Sequence, residues 1–355
     1  MTSDNMAPAE QVLPEHGADL LPAVRLDSYN LEIKDEDGFI GDAASTRAFR
    51  EVLDEWRDLF PDKEDPLGEG SSDEIGKRKL DKVLAEGSVE AAGVVASAVE
   101  EFSQNLARVI RRFMKRKDWK DTERIAIGGG LRRSRIGEIA IGRATLLLRK
   151  AEIEVELRPI RADPDEAGLI GAAHLMPSWL FSGHDAILAL DLGGTNFRAG
   201  LVDLQTDKAP DLSKASVISS DLWRHRDEKP SRAKAVKRLV DMLEDLIAES
   251  KDKKLSLAPF IGIGCPGIVN GAGGIERGAQ NLPGDWNAKD FHLPTAIRDA
   301  IPRIGGHDTV VLLHNDAVVQ GLSEVPFMTD VEHWGVLTIG TGLGNARFTN
   351  RAREK

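Results

Sequence analysis

A chain of 355 residues is long enough for two domains, and 41% hydrophobic residues suffice for substantial cores. The formal net charge is −11, with no long basic stripe to offset it, which argues against a nucleic-acid backbone binder. A single cysteine, Cys265, excludes an internal disulfide and a cysteine-based zinc site, so a reducing, cytoplasmic setting without structural zinc is expected.

Met1 to Asp19 is acidic and lacks an apolar core segment, so it is not expected to act as a secretory signal. No run of about 18 apolar residues is present to span a membrane. Residues 1–25 mix Pro, Ala, Asp and Glu and read as a flexible lead-in. From Ala43 to Leu59 the spacing of Phe49, Leu53, Trp56 and Phe60 predicts a helix. Pro61 to Asp73 is rich in Pro, Gly, Ser and acid and reads as a surface loop. A long helix is expected from Ser88, its N-cap, to Lys117, with Val95, Val99, Phe102, Leu106, Ile110 and Phe113 along one face. The basic run Arg108 to Lys120 is then the solvated end of that helix.

A strand, Arg124 to Gly128, runs into the glycine turn Gly128, Gly129 and Gly130. A helix (Gly137 to Lys150), a strand (Glu154 to Ile160) and a small-residue helix (Asp165 to Leu175) follow. Pro177 and Gly183 mark a boundary. Beyond it a hairpin pairs Ala186 to Asp191 with Phe197 to Leu204, and Ser231 caps a helix carrying Leu239, Leu243 and Leu246. Further strands are expected at Phe260 to Gly264, Val310 to Leu313 and Gly335 to Gly340. Strands interleaved with helices indicate an α/β protein.

Several strand ends carry chemistry. In Asp191-Leu192-Gly193-Gly194-Thr195-Asn196-Phe197-Arg198, a carboxylate ends a strand. Two glycines then let backbone N–H groups approach a phosphate, Thr195 adds a hydroxyl donor and Arg198 an anion partner. Asp191 suits a Mg²⁺ shell through water. Gly340, Thr341 and Gly342 repeat the pattern after another strand, so two loops can grip one phosphate chain from opposite sides. Asp316, in His314-Asn315-Asp316-Ala317, stands where a strand meets a helix and can accept a proton from a substrate hydroxyl, or merely cap the helix. Asn315 and Asn281 are amides suited to sugar hydroxyls, and Trp286 is either a sugar platform or packing. Cys265 reads as a small buried hydrophobe. The Gly128-Gly129-Gly130 turn lacks the GxGxxG spacing of a Rossmann fingerprint, and no GxxxxGK[ST] loop occurs, which excludes a P-loop ATPase.

Taken together these strings resemble the ROK family (repressors, open reading frames, kinases) of sugar kinases, which includes glucokinases. DLGGTNFR at Asp191 to Arg198 is similar to the family's first phosphate motif, and IGTGLG at Ile339 to Gly344 to its second. HNDAVVQGLSE at His314 to Glu324 resembles the segment with the catalytic Asp, here Asp316. Phe260 to Trp286 resembles the sugar loops, and Arg124 to Leu131 with Ala167 to Leu175 the adenosine region. The likeness covers residues from about 40 to 350.

The resemblance implies a two-lobed actin-like ATPase or hexokinase-type (ribonuclease H-like) α/β fold. The order of motifs differs from the family's: the adenosine-like segment comes first, and little chain follows the second phosphate motif. A circular permutation accounts for this. Residues 26–183, completed by 329–355, would form the ATP-binding lobe. Residues 184–328 would form a smaller lobe with the first phosphate motif, sugar loops and catalytic Asp.

The implied activity is transfer of the γ-phosphoryl of MgATP to a hexose hydroxyl. Asp316 would be the catalytic residue. Asp191, Gly193, Gly194, Thr195, Arg198, Gly340, Thr341 and Gly342 would hold phosphates, Gly128, Gly129 and Gly130 adenosine, and Asn281, Asn315 and Asp316 the sugar. ATP, Mg²⁺ and a small sugar are the expected partners, with no nucleic acid and no membrane; a homodimer is one assembly compatible with this reading. The ExGH motif with which ROK kinases grip the sugar is missing, although Glu15-His16-Gly17 is similarly placed once the chain ends are rejoined. A regulatory protein that binds sugar or nucleotide with impaired catalysis is therefore the alternative, and an actin-like assembly ATPase a third.

Overall fold

A computed structural model describes residues 13–36 and 38–351. In chain order its principal strands are Val24–Tyr29 (β1), Arg124–Gly128 (β2), Glu156–Pro159 (β3), Ala186–Leu192 (β4), Phe197–Asp203 (β5), Ser216–Trp223 (β6), Leu257–Cys265 (β7), Val310–Asn315 (β8), His333–Ile339 (β9) and Leu343–Asn350 (β10). The principal helices are Thr46–Arg57 (α1), Lys77–Glu86 (α2), Val89–Met114 (α3), Arg135–Lys150 (α4), Ala167–Ala172 (α5), Arg232–Asp252 (α6), Leu293–Ala300 (α7) and Asp316–Leu322 (α8).

The strands form two five-stranded sheets of the same design. One runs β1-β10-β9-β2-β3, the other β6-β5-β4-β7-β8. In each, the first two pairings are antiparallel and the last two parallel. The second sheet takes its strands in chain order outward from β4. In the first sheet β9 and β10 correspond to β4 and β5, yet the third position is filled by β1. The first sheet is thus a circular permutation of the second, cut between its second and third strands. The cut is bridged by hydrogen bonds: Val24 pairs with Asn350, and Arg351 N–H donates to Ala23 O at 3.0 Å. This is the two-lobed, ribonuclease H-like α/β fold expected from the sequence.

The central strands are continuous apolar runs because both faces are covered; every residue of β2 and of β4 is buried. Three cores result. One lies between the first sheet and α1, α3 and α4, with Phe49, Phe102, Ile110 and Ile127. Another lies between the second sheet and α6 and α7, with Leu188, Leu243, Ile263 and Ile297. The third joins the lobes: Trp334, Val336 and Phe348 of the first sheet and Ile187, Ala189 and Phe260 of the second meet Leu169, Ala172, Val318 and Leu322 of α5 and α8. These two short helices cross at backbone contact, since a Cβ on Gly171 would lie 1.7 Å from Val319 O.

Ser88 and Ser231 cap α3 and α6 as expected, their hydroxyls accepting from Ala91 N–H (3.2 Å) and Lys234 N–H (3.3 Å). The expected lead-in is corrected where it can be seen. Residues 1–12 lie outside the described part, but Leu21 is buried in the joining core, Leu26 N–H donates to Asp19 O, and β1 begins at Val24. Apolar burial and strand pairing order this segment despite its polar composition. The loop after α1 is pinned by buried Arg57, which donates to Asp65 (2.8 Å), Ser72 Oγ (2.8 Å) and the carbonyls of Gly68 and Gly70 (3.0 and 2.6 Å). Among the described residues, no helix is long and apolar enough to cross a membrane.

Candidate active site

A cleft of about 1270 Å³ opens between the lobes, and most of the strand-end motifs line it. Asp316 stands at its floor as the first residue of α8. The cap of that helix is Asn315, whose Oδ1 accepts from Ala317 N–H (3.0 Å) and Val318 N–H (3.3 Å) and whose Nδ2 donates to Gly267 O (3.0 Å). Asp316 is thereby left to line the cleft, its Oδ1 accepting from Ala317 N–H at 2.9 Å. Enclosure by protein, and then the charge of Asp191, push its carboxyl up to about 7.

Asp191, near the end of β4, is buried on the same floor and raised to about 6, chiefly by burial. Arg198 on the adjacent strand opposes this shift, its Nη1 standing 3.9 Å from Asp191 Oδ2. Arg198 also bonds Asp165, which pairs in turn with Arg133, and Arg133 Nε donates to Asp163 at 2.9 Å. The expected anion partner is therefore already held by carboxylates that lead into α5. A Cβ on Gly168 of that helix would lie 2.5 Å from Asp191 Cγ.

Gly193, Gly194 and Thr195 line the cleft beside Asp191, in a turn closed by Gly193 N–H donating to Asn196 O at 2.9 Å. Gly340, Thr341 and Gly342 line it from the first lobe, with Gly340 N–H bonded to Gly342 O at 2.9 Å. The first turn of α1 is tied to this loop, Thr46 N–H donating to Gly340 O at 2.9 Å. Gly129 has a φ of 90° and packs so closely on β9 that a Cβ would lie 2.1 Å from Ile339 O, so only glycine fits there. Gly129 and Gly130 line the cleft, as does Asn281.

Several expected site residues lie elsewhere. Gly128 pairs with Thr338 inside the sheet and does not line the cleft. Asn315 is likewise absent from the lining; it is buried, its Oδ1 serves the cap and its Nδ2 donates to the Gly267 carbonyl, which places it behind Asp316. Trp286 is buried, donates to Pro283 O at 2.8 Å and packs on Phe197 and Phe291, so it is core. Cys265 is buried. His16 accepts from Leu313 N–H at 3.1 Å, and Gly17 N–H donates to Leu313 O at 3.0 Å, so Glu15-His16-Gly17 braces β8 and stays out of the cleft lining.

Asn30 and Glu32, just after β1, do line the cleft, and a Cβ on Gly278 across it would lie 3.3 Å from Asn30 Nδ2. Asn30 has a left-handed backbone (φ 49°). Buried Asn345 of β10 fixes this segment: its Oδ1 accepts from Leu31 N–H (2.9 Å), its Nδ2 donates to Leu31 O (3.2 Å), and its carbonyl accepts from Asn30 N–H (2.9 Å). Sequence reasoning missed both residues. The signal was to read on from the second phosphate motif, across the chain ends, into the next strand.

Among the described residues no group of three or more His, Cys, Asp or Glu forms a metal cage. Mg²⁺ does not require one, since it takes one or two carboxylates and completes its shell with water and phosphate oxygens. Buried Asp191, with Arg198 Nη1 3.9 Å away, and half-buried Asp316 beside it on the cleft floor fit that need.

No protein-family model matches the chain. It is 28% identical over 166 residues to the glucokinase of Thermotoga maritima, 46% of this chain and 44% of that one. It is 28% identical over 165 residues to the polyphosphate glucokinase of Mycobacterium tuberculosis, 45% of this chain and 52% of that one. The chain thus spans about half the length of the curated relatives it matches. Among solved structures it is similar to the ROK hexokinase from Thermus thermophilus, at 22% identity over 45% of each chain and a TM-score of 0.30. The sequence matches support the resemblance to ROK sugar kinases carried by the motifs.

Proposed function

We propose that the protein is a sugar kinase, transferring the γ-phosphoryl of MgATP to a hydroxyl of a hexose. The observation that carries this reading is Asp316, a carboxyl poised near neutrality at the floor of a cleft that two glycine-rich loops enter from opposite lobes. Asp316 accepts the proton of the attacking hydroxyl. N–H groups of Gly194, Thr195, Thr341 and Gly342, in turns closed by Gly193 and Gly340, hold the phosphates and offset charge that develops during transfer. Asp191 holds Mg²⁺ through water, and that ion neutralises phosphate charge when bound. Gly129 and Gly130 leave room for adenosine. Asn281 and, across the cleft, Asn30 and Glu32 grip the sugar, the latter two in place of the missing motif. Residues 26–183 with 329–355 make up the donor lobe, and closure on the acceptor lobe excludes water.

The similarity to a glucokinase and a polyphosphate glucokinase supports the reaction class and makes both ATP and polyphosphate reasonable donors to try. The test is a coupled assay of ADP release over a hexose panel. Sugar-dependent turnover that Asp316→Asn abolishes is the expected result; no stimulation by any sugar, or full activity in the variant, overturns the reading.

A further inference from the structure

One side chain of the first lobe ties down a loop of the second beside the cleft. Tyr29 ends β1. Its hydroxyl accepts from Val269 N–H at 3.3 Å and donates to Val269 O at 3.4 Å. Val269 belongs to the core of the second lobe and follows Pro266 and Gly267, both of which line the cleft. A single phenol thus meets both polar groups of one residue across the lobe boundary. The ring is held for this contact: it meets buried His314 edge-on, with centroids 5.4 Å apart and planes at 68°. His314 is fixed in turn. Its Nδ1 accepts from Asn315 N–H at 2.7 Å, which leaves Nε2 to donate to Ala18 O at 3.1 Å. The loop that carries Val269 is close-packed. Gly267 has a φ of 109°, and a Cβ there would stand 2.4 Å from Arg277 O; a Cβ on Gly278 would stand 2.8 Å from Gly267 Cα. A tether at Val269 therefore bears on Gly267 and Gly278 together.

The residue after Tyr29 is Asn30, which lines the cleft with Glu32, while Gly267, Gly278 and Asn281 line it from the second lobe. We propose that Tyr29 is a positioning residue for the acceptor: its hydroxyl fixes the span between Asn30 and Glu32 on one side and the Gly267 to Asn281 loops on the other, so the sugar half of the cleft is set before the donor half closes. This rests on the kinase reading. A set of hydrogen bonds to one small ligand keeps its grip only while its partners stay within about 0.5 Å of their places. Partners drawn from two lobes need a cross-lobe contact to meet that tolerance. Asn315 differs from Tyr29 in this respect, since it joins only residues of the second lobe.

The experiment compares the full chain with its Tyr29→Phe variant, which keeps the ring against His314 and removes only the hydroxyl. Kinetics are read at a temperature where melting curves show both proteins folded. The hexose KM is expected to rise about tenfold, the loss of two neutral hydrogen bonds, with the donor KM unchanged and kcat altered far less. Hydrogen exchange at the Val269 amide is expected to quicken in the variant. A hexose KM that keeps its wild-type value, or hexose and donor KM values that rise together, overturns the proposal and leaves the kinase reading standing. If the wild type phosphorylates no hexose, the kinase reading has failed. Exchange then decides the tether: a faster Val269 amide in the variant, with an unchanged melting transition, upholds the cross-lobe link, and equal exchange in both proteins overturns it.

Discussion

Gly168 lies against the Asp191 carboxylate, so close that a methyl group there would stand 2.5 Å from Cγ and 2.7 and 2.8 Å from the two oxygens. Helix α5 and the cleft floor are therefore one packed unit. Gly168→Ala is expected to push Asp191 toward the cleft, lowering kcat with a stability loss of about 1–3 kcal/mol, the usual cost of overpacking. Steady-state kinetics beside a melting curve would check this; wild-type kcat in the variant contradicts it.

Asp316 and Asp191 give opposite signs in rate and stability. As a base Asp316 works only when unprotonated, so kcat/KM should rise with pH through about 7 and level off above it. Both carboxyls bind protons more tightly folded than unfolded. Stability is therefore expected to fall as pH rises from the ordinary carboxylate range to about 6 for Asp191 and about 7 for Asp316, and to stay flat beyond. Asp316→Asn should lower kcat by about 10² to 10⁴. It should also melt above the wild type at pH 8 and alongside it at pH 4. A gap in Tm that is constant with pH would refute the buried-acid account.

Asn315 caps α8 and holds Gly267 O, next to the proposed base Asp316. Asn315→Ala removes the cap and leaves a carbonyl unmatched, for a loss of about 1–3 kcal/mol. Denaturant titration should show it, with kcat reduced through the position of Asp316 and the sugar KM little changed. A large rise in sugar KM with unaltered stability would instead return Asn315 to the sugar site.

Glu32 lines the cleft on the loop that Asn345 anchors. Glu32→Gln is expected to raise the sugar KM about tenfold relative to the donor KM, the loss of one charge-assisted hydrogen bond. An unchanged ratio of the two constants would remove Glu32 from the acceptor site.

The motifs were legible because each is a short string at a strand end, where glycines and a carboxylate are conspicuous against an apolar run. The central strands were legible for the same reason. The outer strands β1 and β6 were not: VRLDSY and SVISSDLW alternate weakly because one side of each meets solvent. Helix α2 was missed because only Leu80 of its residues is fully buried, so it has no apolar stripe. Tyr29 looks in sequence like any strand aromatic, and only the tertiary fold brings its hydroxyl to Val269. Asn30 and Glu32 were hidden because the reading stopped where the chain stops, while the sheet continues from β10 into β1.

That continuity bears on how the molecule is made. Strands β9 and β10 lie in the middle of the first sheet, yet they follow the whole second lobe in the chain. A ribosome therefore releases the second lobe with all its strands in hand, while β1, β2 and β3 wait for their central partners. The first sheet closes by pairings such as Val24 with Asn350, among the most distant in sequence that the chain makes, so its closure is the slow step expected in refolding. Until then the apolar faces of Ile125 and Ile127 stand without β9 beside them, a stretch of synthesis in which a chaperone has a defined place to bind.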